Sequence, residues 1–241
     1  MQTKTVLLLG ANSDVAKAAI LQYNALGYRV LAASRSTDAL HDFVAAKVMQ
    51  KEWVDVLYFD ATDFNSHAAF YAALPEKPHV VVYAAGFLQH NEAALRDFAG
   101  ALQMMQVHYA GAVSILNIVA MDTQNTRLER IVGLSSLSGV RGRRSNFIYG
   151  STKAAFTQYL AGLRQYLFSR KVTVNVIVAG YIRSKMTAGL GLPESLMLEP
   201  AFIARAVVRP AHRFTIVPGF KWKLIYTALK WMPEQLVARL P

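Results

Sequence analysis

The chain has 241 residues, 54% of them hydrophobic and 17% charged, which implies one packed globular domain rather than a disordered chain. It has no cysteine, so disulfides, thiolate catalysis and cysteine-based metal sites are excluded, and no metal-ligand set is read. The net charge of +11 implies an anionic partner, either nucleotide phosphates or a lipid surface; nucleic acid is not expected, because aromatic-interleaved basic repeats and recognition motifs are absent.

The opening residues carry a short apolar run, Thr5 to Leu9, without a small-residue cleavage site, so they read as a strand rather than a secretion signal. No uninterrupted apolar stretch approaches the ~18 residues of a membrane-spanning helix. Gly10-Ala11-Asn12-Ser13-Asp14-Val15-Ala16 follows the strand and leads into a helical pattern to Leu26. A strand, a small-residue turn and a helix N-terminus form an anion site, since free backbone N–H groups and the helix dipole face the phosphates. Only Gly10 keeps the glycine fingerprint; Asp14 and Ala16 stand where a dinucleotide fold usually carries glycines. Gly10, Asn12, Ser13, Asp14 and Val15 are candidate cofactor contacts, and Asn12, Ser13 or Asp14 equally suits a helix cap.

A second strand, Arg29 to Ala33, ends at Ser34-Arg35-Ser36. An NAD enzyme usually places an acid here to hold the ribose hydroxyls, whereas NADP needs space and a cation. With Ser34 and Arg35 in place and no acid, NADP(H) is preferred over NAD(H). A third strand, Val54 to Phe59, ends at Asp60-Ala61, where Asp60 either accepts from an adenine amino group or caps a helix. The fourth, Val80 to Tyr83, runs into Ala84-Ala85-Gly86, small enough for a cofactor to approach the backbone.

From Asn91 to Met121 the pattern predicts one long apolar helix containing His108. A fifth strand, Ile131 to Leu134, leads into LSSLSGVRGRRSNFIYGSTKAA, in which Ser136 precedes Tyr149 and Tyr149 precedes Lys153 by four residues. On a helix, positions i and i+4 share a face, so a lysine ammonium stands beside a phenol and is expected to draw its high pKa toward working pH. Arg141, Arg143 and Arg144 form a basic loop that suits an anionic substrate or simple solvation. A sixth strand, Val172 to Val178, is followed by Ala179-Gly180-Tyr181-Ile182-Arg183-Ser184, then a mobile lid over Thr187 to Pro200, and a seventh strand at Phe214 to Val217. Strands alternating with helices predict a single-domain, Rossmann-like α/β fold: a doubly wound parallel sheet of about seven strands with helices on both faces.

These motifs resemble the short-chain dehydrogenase/reductase family over residues 4–185, most specifically in the Ser136, Tyr149, Lys153 spacing. The resemblance implies an NADP-dependent ketoreductase in which Tyr149 donates a proton to the substrate carbonyl oxygen. Ser136 would hydrogen-bond that oxygen, Lys153 would lower the tyrosine pKa and hold the nicotinamide ribose, and Gly180, Ile182 and Ser184 would bind the carboxamide. The family's fourth catalytic residue is an asparagine in a VNxxG-like motif that holds a relay water. Here Val107-His108-Tyr109-Ala110-Gly111 puts His108 at that position, where it either relays protons or blocks the water.

RRSNFIYGSTKAA, GANSDVA and the basic, Trp-rich tail also resemble the decaprenylphosphoryl-2-keto-ribose reductase branch. That implies a lipid-linked keto-sugar substrate and a flavin oxidase partner. Other readings are a reductase of a small soluble ketone or acyl thioester, and a catalytically impaired NADP-binding scaffold.

Residues 1–219 read as the NADP-binding domain and 220–241 as its C-terminal amphipathic helical extension. In that extension Trp222, Ile225, Tyr226, Leu229, Leu236 and Leu240 share one side, away from Lys221, Lys223, Lys230 and Arg239. Such a face lies on a membrane surface, or covers the pocket, or builds a homo-oligomer. The expected location is cytoplasmic, with the tail as a route to the inner face of the membrane.

Overall fold

In the computed structural model, which describes residues 3–239, the strands are β1 (Thr5–Leu9), β2 (Arg29–Ser34), β3 (Val54–Tyr58), β4 (Val80–Tyr83), β5 (Arg130–Ser136), β6 (Thr173–Ala179) and β7 (Thr215–Ile216). Among the described residues they form one seven-stranded parallel sheet in the order β3-β2-β1-β4-β5-β6-β7. The helices are α1 (Asp14–Ala25), α2 (Thr37–Lys47), α3 (His67–Ala72), α4 (Asn91–Arg96), α5 (Phe98–Met105), α6 (Gly111–Met121), α7 (Phe147–Tyr166), α8 (Pro200–Val208), α9 (Phe220–Trp231) and α10 (Glu234–Val237).

Helices cover both faces, which explains why the inner strands read as continuous apolar runs rather than alternating ones. Leu7, Leu9, Tyr83 and Ile131 pack with Ile115 and Leu116 of α6 and Phe156 and Leu160 of α7. On the other face Val6, Leu8, Val82 and Ile177 pack with Ala19 and Ile20 of α1 and Ile203 and Val207 of α8. Strand order reverses between β1 and β4, and the crevice at that reversal opens at the carboxyl ends of the strands.

The single helix expected over Asn91 to Met121 is divided. Asp97 is extended and its carboxylate accepts from the Ala99 N–H (3.0 Å), so it ends α4 and caps α5. Between α5 and α6, residues Gln106–Ala110 form a π-helical turn. The run Phe98–Met121, although interrupted by Gln103, Gln106, His108, Ser114 and Asn117, is long and apolar enough on average to cross a membrane, with mean hydropathy 1.3 over its most apolar window; half of that window is buried, and it serves as a core helix of the sheet.

The apolar face of the tail turns inward. Trp222 and Leu229 are buried in the same core as the sheet, with Ile225 and Tyr226 packed against it, while Leu236 is exposed. Leu240 lies outside the described residues. Arg141 fixes the end of α9, donating from Nε to the Leu229 carbonyl (3.0 Å) and from Nη2 to the carbonyls of Lys230 (3.0 Å) and Met232 (3.4 Å). A cation at a helix C-terminus satisfies carbonyls that lack helical partners.

Candidate active site

At the end of β1, Gly10 has φ +83, and a Cβ there would collide with the backbone of Ala84 and Ala85. A side chain is therefore excluded both by conformation and by the neighbouring strand end. Ser13 caps α1, its Oγ accepting from the Ala16 N–H (3.1 Å). Asn12 Nδ2 donates to Ser34 Oγ (2.8 Å) and the Ser36 carbonyl (2.6 Å), pinning the end of β2 to the turn, and its Oδ1 is buried without a protein partner. The Asp14 carboxylate accepts the Lys185 backbone N–H (2.8 Å) and so ties the turn to the segment after β6. Asp60 closes a local turn, with Oδ1 accepting from the Thr62 N–H (2.8 Å) and hydroxyl (2.7 Å). Arg35 is exposed at the end of β2.

Gly180, Ile182 and Ser184 face this crevice from the end of β6. A Cβ on Gly180 would collide with the Trp222 indole, so the glycine makes room for α9. Trp222 Nε1 donates to the Leu196 carbonyl (2.9 Å), Lys221 Nζ donates to the Ser195 carbonyl (3.1 Å), and Arg183 pairs with Glu194 and Glu199 (2.5 and 2.8 Å). The lid expected over Thr187 to Pro200 is thus tethered through its second half, by α9 from 26 positions away and by Arg183 just before it.

β5 extends to Ser136, two residues further than the apolar run suggested, and places its hydroxyl beside the start of α7. Ser136 Oγ accepts from the Ser138 N–H (3.2 Å), which leaves its own O–H free to donate. Lys153 is 5% exposed; its Nζ donates to the Leu134 carbonyl (3.2 Å) and lies 5.8 Å from the centre of the Tyr149 ring. Burial lowers the Lys153 pKa to about 8. Burial also pushes the Tyr149 phenol up to about 12, against the smaller lowering effect of the neighbouring Ser136 hydroxyl. The expected downward pull of the ammonium does not win here: loss of water from the phenol is the larger effect, and Nζ is directed to a backbone carbonyl. At neutral pH Tyr149 is protonated and in the state of a proton donor.

His108 is fully buried in the π-helical turn, its ring edge-on to Tyr149 with centroids 5.2 Å apart. Nε2 accepts from the Phe87 N–H (3.0 Å), so the neutral ring carries its proton on Nδ1, which lies 2.7 Å from Thr152 Oγ1. Thr152 in turn donates to the Tyr149 carbonyl (2.8 Å). The chain runs in one direction from Phe87 through His108 and Thr152 to Tyr149, and burial together with the charge of Lys153 holds the His108 pKa well below its usual value. Both ring nitrogens have protein partners, and His108 joins the loop after β4 to the Tyr149 turn of α7.

One cavity of about 600 Å³ is lined by every expected catalytic and cofactor residue except His108, including Gly10, Val15, Ser34, Ala61, Gly86 and Lys153. The family model described as short chain dehydrogenase matches residues 4–194. The chain belongs to that family. It is 28% identical over 242 residues to an uncharacterised oxidoreductase of Mycobacterium tuberculosis, covering 98% of this chain and 96% of that protein. It is 24% identical over 233 residues to a 3-oxoacyl-acyl-carrier-protein reductase of Aggregatibacter actinomycetemcomitans, covering 91% and 93%. A short chain dehydrogenase from Burkholderia cenocepacia, solved in complex with NADP, superposes with a TM-score of 0.80 at 17% identity, covering 98% of this chain and 96% of that one.

Within this short-chain dehydrogenase, residues that sequence reading did not name individually also line the cavity: Ser138 and Asn146, inside the expected pocket segment from Leu137 to Ile148, and Asn91 and Lys185. Asn91 Oδ1 accepts from the Ile148 N–H (3.2 Å) and its Nδ2 donates to the Arg144 carbonyl (3.4 Å), so it braces the loop before α7. Nothing in the spacing could have singled it out, because its partners are 53 and 57 positions away.

Proposed function

We propose that this short-chain dehydrogenase is an NADPH-dependent ketoreductase. The carrying observation is that Ser136, Tyr149 and Lys153 line the same cavity as Gly10, Arg35 and Gly180. The residues fit a dinucleotide: a glycine where any Cβ would meet backbone, the N-terminus of α1, the partnerless acceptor Asn12 Oδ1, and a strand end of small residues, Ala84-Ala85-Gly86. Gly10, Asn12, Ser13, Val15, Asp60 and Ala61 would hold the adenosine and pyrophosphate end, and Ser34 and Arg35 the 2′-phosphate. Ala85, Gly86, Lys153, Gly180, Ile182 and Ser184 would hold the nicotinamide end. The NADP complex of the Burkholderia enzyme supports the choice. NADPH, when bound, supplies a hydride to the carbonyl carbon.

Tyr149 Oη gives its proton to the carbonyl oxygen, and the free O–H of Ser136 donates to that same oxygen as negative charge develops on it. Lys153, held by the Leu134 carbonyl, supplies positive charge behind the phenol. NADPH oxidation with a panel of keto-sugars and simple diketones tests the reading, and absence of turnover with tight NADPH binding would favour a scaffold. Arg35→Ala is expected to weaken NADPH binding about tenfold or more and leave NADH binding within twofold, by fluorescence titration. Equal losses for both cofactors would count against NADP preference.

A lipid-linked keto-sugar is a second reading, favoured by the outer face of α9. Phe220, Leu224 and Trp231 are 74%, 56% and 75% exposed, share one helical face, and have Lys221, Lys223 and Lys230 beside them. Full-length protein is expected to bind phosphatidylglycerol vesicles, and a Phe220→Ser, Leu224→Ser, Trp231→Ser variant to lose that binding. Wild-type protein that stays unbound would end the membrane reading.

A further inference from the structure

Three arginines crowd the loop between Ser136 and Tyr149, and the fold separates them. Arg141 is committed to the C-terminus of α9. Arg144 is exposed, and its carbonyl is held by Asn91. Arg143 alone of the three lines the cavity. Its Nη2 donates to Ser138 Oγ (3.3 Å), and its Nε is buried with no hydrogen-bond partner. Ser138 Oγ also accepts from Asn146 Nδ2 (2.9 Å), so both of its lone pairs are used and it can take no further N–H of the guanidinium.

Among the described residues, the ion pairs are Lys4–Glu129, Arg29–Asp55, and Arg183 with Glu194 and Glu199, and none involves Arg143. The acids lining the cavity are Asp14 and Asp60. Both lie at the β1 and β3 strand ends, where the dinucleotide's adenosine side belongs, and each already accepts protein hydrogen bonds. The catalytic end therefore presents a partly buried, always-charged group with donors and no counterion.

We propose that the carbonyl substrate carries an anionic group, a carboxylate or a phosphate, and that Arg143 binds it. A guanidinium has only donors, so its ligand must supply acceptors. A neutral sugar hydroxyl would satisfy one N–H and leave the charge unbalanced, whereas a carboxylate or phosphate oxygen pair matches the fork in both geometry and charge. Arg143 sits on the loop bounded by Ser136 and Tyr149, so a group bound there belongs to the molecule whose carbonyl those residues engage. This rests on the ketoreductase reading and narrows its substrate class.

The test begins by titrating wild-type protein, Arg143→Met and Arg143→Lys with NADPH. Each NADPH complex is then titrated by calorimetry with acetoacetate and its methyl ester, and with dihydroxyacetone phosphate and dihydroxyacetone. The expected result is equal NADPH affinity in all three proteins and wild-type binding of one anion at least tenfold tighter than its neutral partner. That preference should be abolished in Arg143→Met and partly kept in Arg143→Lys. The preferred anion distinguishes a carboxylate from a phosphate substrate. NADPH binding with the anion preference unchanged in Arg143→Met, or with no preference in wild type, overturns the Arg143 assignment alone. Failure of NADPH to bind, seen in the first titration, overturns the ketoreductase reading beneath it.

Discussion

Tyr149→Phe is expected to lower kcat for carbonyl reduction roughly 100- to 10,000-fold, the range for removing a positioned general acid, while NADPH affinity stays within twofold. The variant deletes one oxygen and leaves the ring packed against His108, so a fall in kcat reports loss of the proton donor rather than collapse of the site. The pH dependence of the wild-type enzyme carries the same information. Tyr149, pushed up to about 12, keeps its proton throughout the working range. Lys153, lowered to about 8, keeps its charge below that pH and loses it above. The reduction rate is therefore expected to hold through neutrality and to fall above pH about 8 as the ammonium disappears. Stopped-flow NADPH oxidation across pH 6–10 would check it; a rate that rises through that range would show the phenolate to be the active form.

His108→Ala is expected to destabilise the fold by about 2–4 kcal/mol, from the cavity and from the Phe87 N–H and Thr152 hydroxyl left without their buried partner. Urea unfolding reads this directly. His108→Asn keeps one donor and one acceptor and should lose less than half as much, with no large gain in kcat. Because His108 is held neutral, the pH profile of wild type should lack an ionisation near 6.5 belonging to it. Such an ionisation that vanished in His108→Asn, or a large recovery of turnover in that variant, would return the histidine to the proton path and contradict its reading as a strut.

The sheet was legible in the sequence because its strands are short apolar runs ending in small or polar residues. The grouping of Ser136, Tyr149 and Lys153 at one cavity was legible because Tyr149 and Lys153 are one helical turn apart and Ser136 closes a strand. Asp97 is a local signal, an N-cap inside an apolar run, and was masked by the apolar periodicity on both sides of it. The function of His108 depended on Phe87 and Thr152, 21 and 44 positions away, and sequence spacing carries no record of such partners. The tail shows a different limit. Helical phasing grouped Trp222, Ile225, Tyr226 and Leu229 on one face, but an amphipathic face states only that something apolar covers it. Here the cover is the protein's own sheet and the strand end at Gly180. Likewise, three adjacent arginines look alike as a string, and only the positions of the α9 carbonyls and the cavity wall separate Arg141 from Arg143.

Tyr149 is expected to protonate a carbonyl oxygen while the carbonyl carbon receives a hydride in this cavity. The most direct measurement follows deuterium from 4-deuterated NADPH into the product alcohol, by mass spectrometry, for wild type and Tyr149→Phe. Deuterium at the former carbonyl carbon in wild type, and its near absence in Tyr149→Phe with cofactor still bound, is the predicted result. Deuterium transfer at equal rates in both proteins, or cofactor binding without transfer to any carbonyl tested, would contradict it.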